Sequence, residues 1–122
     1  MTRIALGLGS NRDCNGRSPA QLLAGGVGKL RDFVSDLAVS PVYRTAALYV
    51  TEQADFYNMV VTGLYDGSAR QLLEEVHGVE TLFGRNRSVE TRNGPRPLDI
   101  DIELFGTLSL RAPQLVIPHE RL

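Results

Sequence analysis

The sequence contains one cysteine, one lysine, no tryptophan and no long hydrophobic run. With Cys14 alone, no intrachain disulfide can form, which suits a reducing cytoplasm. No apolar run approaches the roughly 18 residues that a membrane-spanning helix needs, and a strand-like pattern begins at Ile4. We therefore expect a cytoplasmic protein with no signal peptide and no membrane partner. The net charge of −1 argues against a general nucleic-acid binder.

The composition of the 122 residues is ordinary for a globular chain, with 43% hydrophobic and 22% charged residues. This length predicts a single domain over residues 1–122 with one modest core. The basic residues are nearly all arginine, and four of them fall between Arg85 and Arg96. A local basic patch on a nearly neutral chain is expected for a small anionic ligand.

Hydrophobic periodicity and turn residues predict four strands and two helices. Ser18 with Pro19, and later Ser68, are favourable residues for starting the helices. The predicted elements are a strand over 4–9, a helix to about Phe33, strands over 37–45 and 57–65, a helix to about Phe83, and a strand over 98–105. This βαββαβ order predicts an α+β, ferredoxin-like fold, with an antiparallel sheet and both helices on one face. The second helix would bury an apolar stripe of Leu72, Leu73, Val76, Val79 and either Leu82 or Phe83.

Two connectors are too long to be plain turns. Residues 45–56 and 84–97 each span about 12 residues or more, and loops of that length in a compact domain are usually functional. The second connector contains the arginine-rich patch.

The most informative segment is the last predicted strand, in which Asp99 and Asp101 alternate with apolar residues. Both carboxylates should share one face, about 6.5–7 Å apart at the Cα atoms. A pair of Mg²⁺ ions would relieve their repulsion, since Mg²⁺ binds one or two carboxylates with phosphate oxygens and water. A solvated edge strand is the alternative, but the arginine-rich loop before the strand favours a polyphosphate site. The residues expected on the opposite, core-facing side are Leu98, Ile100, Ile102 and Leu104.

Six blocks of the sequence resemble the 6-hydroxymethyl-7,8-dihydropterin pyrophosphokinase family of folate biosynthesis. The block Gly-Pro-Arg-x-x-Asp-x-Asp-Ile is highly specific, and the blocks together cover nearly the whole chain. The family fold is ferredoxin-like, in agreement with the element order. In family order the blocks are Gly7-Leu8-Gly9-Ser10-Asn11, Val42-Tyr43-Arg44-Thr45, Asp55-Phe56-Tyr57-Asn58, Gly84-Arg85-Asn86-Arg87, the run from Gly94 to Ile102, and Ile117-Pro118-His119.

The resemblance implies an ATP-dependent diphosphotransferase with two Mg²⁺ ions held by Asp99 and Asp101. The pterin hydroxymethyl oxygen would attack the β-phosphorus of ATP, and AMP would leave. Arg85 and Arg96 would act with the aspartates in catalysis by neutralising phosphate charge. The resemblance also implies phosphate contacts for Arg87, Arg92 and His119, a ribose contact for Glu80, and adenine contacts for Ile102, Leu115 and Val116.

For the pterin, the resemblance implies that Phe56 stacks on the ring and that Asn58 bonds its polar edge. Backbone groups of Thr45 and Leu48 would complete the slot. The implied partners are therefore ATP and a pterin alcohol. No strong general base stands out, and Asp99 is the one residue suggested as an acceptor of the hydroxyl proton.

The chain departs from the family pattern in three ways. Asn93 stands where the family usually has tryptophan, and the loop from Arg87 to Gly94 is one residue longer. The sequence ends at Leu122, whereas the family continues with a phosphate-binding arginine, a second pterin-stacking aromatic residue, and a closing strand and helix. Two hypotheses follow: a short, active pyrophosphokinase, or a noncatalytic pterin- or nucleotide-binding module. An open sheet edge would also favour a homodimer.

An RNA-binding interpretation of the same βαββαβ order is weaker. The first and third predicted strands lack the paired exposed aromatic residues on which RNA bases stack.

Overall fold

The computed structural model describes residues 1–46, 55–85, 96–108, 110–112 and 115–118. Within these ranges the chain forms strands and helices in the predicted order, with additional short strands. The strands are β1 (Thr2–Ser10), β2 (Val34–Val39), β3 (Tyr43–Thr45), β4 (Phe56–Tyr65), β5 (Asp99–Phe105), β6 (Leu110–Ala112) and β7 (Leu115–Ile117), and the helices are α1 (Pro19–Leu30) and α2 (Ala69–Leu82).

The first five strands form one antiparallel sheet in the order β2-β4-β1-β5, and β3 pairs with β4 next to the stretch that β2 occupies. β6 and β7 form a separate antiparallel pair, which the periodicity did not predict. The two helices and the antiparallel sheet confirm the predicted α+β, ferredoxin-like fold.

Both helices begin at the predicted serines, and each start is a complete capping box. Ser18 Oγ accepts from Gln21 N–H at 3.3 Å, and Gln21 Oε1 accepts from Ser18 N–H at 2.8 Å. Ser68 and Gln71 make the same pair of bonds at 3.1 and 2.7 Å. Two of the N–H groups that every helix start leaves unsatisfied are thereby bonded in each helix.

The helix ends refine the prediction. Helix α1 ends at Leu30 rather than near Phe33, because the Asp32 and Phe33 N–H groups bond three residues back and tighten the last turn. In α2 the open choice for the last apolar position is resolved. Phe83 is 6% exposed and packs in the core, whereas Leu82 is 59% exposed.

The predicted strand over 37–45 is wrong in its extent, because this segment contributes to two strands, β2 and β3. Pro41 lies between them and has no N–H to donate to a strand ladder. Ser40 maintains the pairing with β4 at this break. Its N–H donates to the Val60 carbonyl, and its Oγ accepts from the Val60 N–H, both at 2.8 Å.

The core lies between the sheet and the two helices. β1 contributes Ile4, Leu6 and Leu8, each 2% exposed or less. Gly26 lets α1 approach closely, since an added Cβ there would lie 3.2 Å from Leu98 Cδ2 and 3.5 Å from Leu8 Cδ2. The helices therefore cover one sheet face and leave the other for the site.

A β-bulge near the end of β5 reverses the side of the sheet to which the last side chains of this strand point. Leu6 of β1 pairs with Ile102, but the preceding Ala5 pairs with Leu104, so that Glu103 is an extra residue on β5. The prediction that Leu104 faces the core is therefore wrong. Leu104 is 39% exposed, and Phe105, at 9%, takes the core position instead.

Candidate active site

The candidate site lies on the sheet face opposite the helices, where β3, β4, β1 and β5 run side by side. A cavity of about 280 Å³ opens there. Two aromatic residues, Tyr43 and Phe56, lie at the β3–β4 end of the cavity lining. The polar and charged side chains that line it are Thr45, Asn58, Arg96, Asp99, Asp101 and Glu103.

Strand register sets the spacing between the two ends of the cavity. Gly9 pairs with Asn58 on one side and with Asp99 on the other. Neighbouring strands lie about 4.8 Å apart, so the Asn58 and Asp99 backbones are about 10 Å apart. A Cβ at Gly9 would lie 3.1 Å from Asn58 Oδ1 and 3.7 Å from Phe56 Cδ1. The glycine therefore keeps the cavity floor open between the polar edge and the acidic edge.

Gly7 forms the next row of this floor. It pairs with Val60 on β4 and with Asp101 on β5. The carboxylate of Glu103 lies over Gly7, where a Cβ would collide with Glu103 Oε1. Glu103 thus adds a third carboxylate to the cavity lining, beside the two predicted aspartates.

Asp99 is held by two arginines. Arg85 Nη1 lies 2.6 Å from Asp99 Oδ1, and Arg96 Nη1 lies 3.6 Å from the same oxygen. The side chains of Asp99 and Arg96 are 20% and 21% exposed, whereas that of Arg85 is only 4% exposed. Part of the repulsion expected between Asp99 and Asp101 is therefore offset by charges that belong to the chain itself.

The acidic pair suits a cation that brings other ligands with it. Asp99 and Asp101 share one face of β5 and line the same cavity. Among the described residues, no group of three or more Asp, Glu, His or Cys side chains could hold a metal ion. Mg²⁺ does not need such a group, because it binds through one or two carboxylates, substrate phosphates and water. The donor set therefore fits Mg²⁺ carried by a nucleotide.

Glu80 lies beneath the cavity, at the outer edge of β5. Its side chain is 1% exposed. Its Oε2 accepts from Arg85 Nη1 at 2.6 Å and from the backbone N–H of Ile100 at 2.7 Å. β5 is the last strand in the order of this sheet, and the Ile100 N–H points away from its neighbour β1. The Glu80 side chain of α2 therefore accepts a hydrogen bond that a further strand would otherwise accept.

Asn11 clamps the segment that carries Arg96. Its side-chain Oδ1 accepts from Arg96 N–H at 2.8 Å, and its own N–H donates to the Arg96 carbonyl at 3.1 Å. Asn11 follows directly on β1 and is 5% exposed. The backbone of Arg96 is therefore tied to the end of the central strand, which positions its guanidinium near Asp99.

The opposite end of the cavity is formed by β3 and β4. Asn58 Nδ2 donates to Thr45 Oγ1 at 2.7 Å, which fixes the side-chain amide relative to β3. Phe56 pairs with Thr45 in register and lies beside the Gly9 floor. A planar ligand that presents hydrogen-bonding groups along one edge matches an amide next to an aromatic ring.

The structure brings most of the described site residues together. Arg85, Arg96, Asp99 and Asp101 gather at one end, and Thr45, Phe56 and Asn58 at the other. Ile102 and Leu115 are 3% and 6% exposed and belong to the hydrophobic core, while Val116 lies in β7. The ligand contacts expected of all these residues, and of the buried Glu80, stay predictions. The site residues outside the described ranges are Leu48, Arg87, Arg92 and His119.

Sequence reasoning gave no role to three residues that the structure places at the site: Asn11, Tyr43 and Glu103. The signals were present but weak. Glu103 continues the alternation of Asp99 and Asp101, and Tyr43 lies in a family block. Asn11 ends another such block, but its bonds to Arg96 join positions 85 residues apart in the chain, which no local pattern reveals.

Comparison with known proteins is consistent with this geometry. The family model described as 7,8-dihydro-6-hydroxymethylpterin-pyrophosphokinase matches residues 5–122. The chain belongs to this family. It is 31% identical over 121 residues to the 2-amino-4-hydroxy-6-hydroxymethyldihydropteridine pyrophosphokinase of Helicobacter pylori, covering 98% of this chain and 72% of the relative. The protein of the same name from Methylorubrum extorquens is 36% identical over 121 residues, covering 98% of this chain and 73% of the relative.

Pyrophosphokinase-family sequence also occurs within longer proteins. The mitochondrial folate synthesis bifunctional protein of Arabidopsis thaliana is 36% identical over an alignment of 123 positions, covering 98% of this chain and 21% of that protein. The chain thus spans about a fifth of the length of that relative.

None of the helices in the described part of the chain is long and apolar enough to cross a membrane.

Proposed function

We propose that this chain transfers diphosphate from ATP to the hydroxymethyl group of 6-hydroxymethyl-7,8-dihydropterin and releases AMP. The observation that carries the proposal is the cavity itself. Carboxylates and Arg96 lie at one end, and an amide and an aromatic ring lie at the other, about 10 Å away across a glycine floor. A metal-bound triphosphate suits the first end, and a flat heterocycle with a polar edge suits the second.

The residues of the chain contribute mainly by positioning and by charge. Asp99 and Asp101 would hold Mg²⁺ that arrives with ATP, and bound Mg²⁺ supplies charge neutralisation on the phosphate oxygens. Arg96 lies at the cavity surface, where its guanidinium can meet phosphate charge as the bond to the leaving group lengthens. Asn58 and Phe56 would orient the pterin so that its hydroxymethyl oxygen faces the β-phosphorus. Such orientation alone removes a large part of the barrier in phosphoryl-type transfer.

The direct test is AMP release from ATP, measured with and without the pterin alcohol. We expect AMP only when the alcohol is present, and a loss of roughly a hundredfold or more in Asp101→Asn. Asp101 is preferred to Asp99 for this test, because replacing Asp99 would also release two arginines. Binding of both ligands without AMP release would support the noncatalytic module instead. The cytoplasmic location and the homodimer stay predictions.

A further inference from the structure

An ionic chain of Glu80, Arg85 and Asp99 runs from the buried side of helix α2 to the acidic edge of the cavity. We propose that Glu80 is a positioning residue for the reaction: it holds Arg85, and through Arg85 it fixes the carboxylate of Asp99. The expected effect on turnover rests on the proposed function. The expected hold of Glu80 on Arg85 and Asp99 does not, because it concerns contacts within the chain alone.

The first support is the shared donor. Arg85 Nη1 lies 2.6 Å from Glu80 Oε2 and 2.6 Å from Asp99 Oδ1. A single guanidinium nitrogen therefore connects a carboxylate that is 1% exposed to one that is 20% exposed. The second contact of Asp99, to Arg96 Nη1, is longer at 3.6 Å. The orientation of Asp99 is thus set mainly from the buried side.

The second support is the backbone bond. Glu80 Oε2 also accepts from the N–H of Ile100, the residue next to Asp99, at 2.7 Å. Glu80 consequently fixes both the backbone beside Asp99 and the side chain that contacts its carboxylate. Partners that orient ligand side chains in this way are typically needed for full metal affinity.

The third support is burial. Arg85 and Glu80 are both nearly inaccessible, and charges at such positions are tolerated when they are paired. If Glu80 loses its charge, Arg85 loses the ion pair on its buried side, and its guanidinium can shift along Asp99 toward solvent. Since Glu80 is 1% exposed, its proposed action is through Arg85, in place of the ribose contact that the family resemblance implies.

The test uses Glu80→Gln, which keeps the shape of the side chain and an acceptor for the Ile100 N–H but removes the charge. The matched control is Glu74→Gln, an exposed residue on the same helix. We expect Glu80→Gln to raise by roughly 10–100-fold the Mg²⁺ concentration needed for binding of a nonhydrolysable ATP analogue, with a parallel fall in kcat. The control should match the wild type in both measurements.

A double-variant cycle separates positioning from general structural damage. Because Glu80 is proposed to act through Arg85, the variant Glu80→Gln/Arg85→Gln should have the same kcat as Arg85→Gln alone. The double variant also removes both charges of the buried pair, so no isolated buried charge remains. A further loss of kcat, as large as the one that Glu80→Gln causes in the wild type, would overturn the proposal.

A spectroscopic measurement keeps the geometric part testable without turnover, even where Glu80→Gln fails to fold. The side-chain N–H signals of Arg85 in ¹⁵N NMR should exchange slowly with water in the wild type. They should remain slow in Asp99→Asn, because Glu80 still holds the guanidinium. Loss of this protection in Asp99→Asn would show that Asp99 holds Arg85 and would overturn the proposal. An inactive wild type with protected Arg85 signals would count against the proposed function only.

Discussion

At the scale of single residues, Gly9 decides how much room a ligand has. The Gly9→Ala methyl group would stand 3.1 Å from Asn58 Oδ1, tighter than an ordinary van der Waals contact, and would project into the cavity floor. We expect pterin affinity to fall roughly tenfold, while affinity for an ATP analogue changes little. Calorimetric titration of each ligand checks this expectation. Equal losses for both ligands would mean that the substitution distorts the sheet instead of filling the slot.

Asn58 should act on the pterin and not on the nucleotide. Asn58→Ala removes the amide that lies at the β4 end of the cavity, and loss of one hydrogen-bonding group costs about 1 kcal/mol, or several-fold in affinity. Thr45→Val is the companion variant, because it removes the acceptor that fixes the amide at 2.7 Å. We expect a smaller effect from it in the same direction. If nucleotide affinity falls as far as pterin affinity, Asn58 is a structural residue.

Asp99 and Asp101 are the site residues that a local pattern identified, whereas the roles of the other site residues came from the resemblance to the family. Asp99 and Asp101 alternate with apolar neighbours, and that pattern alone places them on one face. Glu80 also had a local signal, since it continues the four-residue spacing of Leu72 and Val76 along the apolar stripe of α2. A charge at a core position indicates a buried partner. Which partner it meets depends on where Arg85 and β5 lie, and no spacing within the helix contains that information.

At the scale of elements, the glycines of α1 offer a matched pair of tests. Gly28 has nothing within 4 Å of an added Cβ, so Gly28→Ala should stabilise the protein by up to about 1 kcal/mol through helix propensity. Gly25→Ala gains the same propensity, but its Cβ would lie 2.6 Å from Phe83 Cε1. We therefore expect Gly25→Ala to lower the free energy of unfolding, as measured by urea denaturation. A stabilised Gly25→Ala would show that Phe83 moves aside easily.

The elements themselves were predictable where local signals agree with the fold. Both capping boxes and the two-residue period of β5 are examples. The break at Pro41 was readable in principle, since proline cannot donate to a ladder. The bulge at Glu103 was not readable, because it depends on how β5 pairs with β1. A shift of one residue moves every later side chain to the other face, which explains the exchanged positions of Leu104 and Phe105.

At the scale of the whole molecule, Tyr65 connects the sheet to both helical regions at the end remote from the site. Its ring meets Phe33 and Phe105 edge to face, with centroids 6.2 and 6.4 Å apart. Its hydroxyl donates to Glu75 on α2. Burial, together with the hydrogen bond and the charge of Glu75, raises the pKa of Tyr65 from 10.0 to about 12. The folded chain therefore keeps this hydroxyl protonated at a pH where an unfolded chain releases the proton.

This difference predicts an alkaline loss of global stability with a defined sign. Because the folded pKa is the higher one, the contribution of Tyr65 is fully present below about pH 10 and is lost as the pH rises toward about 12. Tyr65→Phe keeps the aromatic contacts and removes the titrating group. The free energy of unfolding of the wild type, relative to that of this variant, should therefore fall by roughly 2 kcal/mol between pH 9 and about pH 11.5. Urea denaturation across that range measures it. Tyr43→Phe is the control for the loss of a tyrosine hydroxyl, because Tyr43 is 57% exposed. A constant difference between wild type and Tyr65→Phe would mean that Tyr65 ionises equally in both states, and the link between α2 and the sheet would then contribute nothing to the alkaline limit.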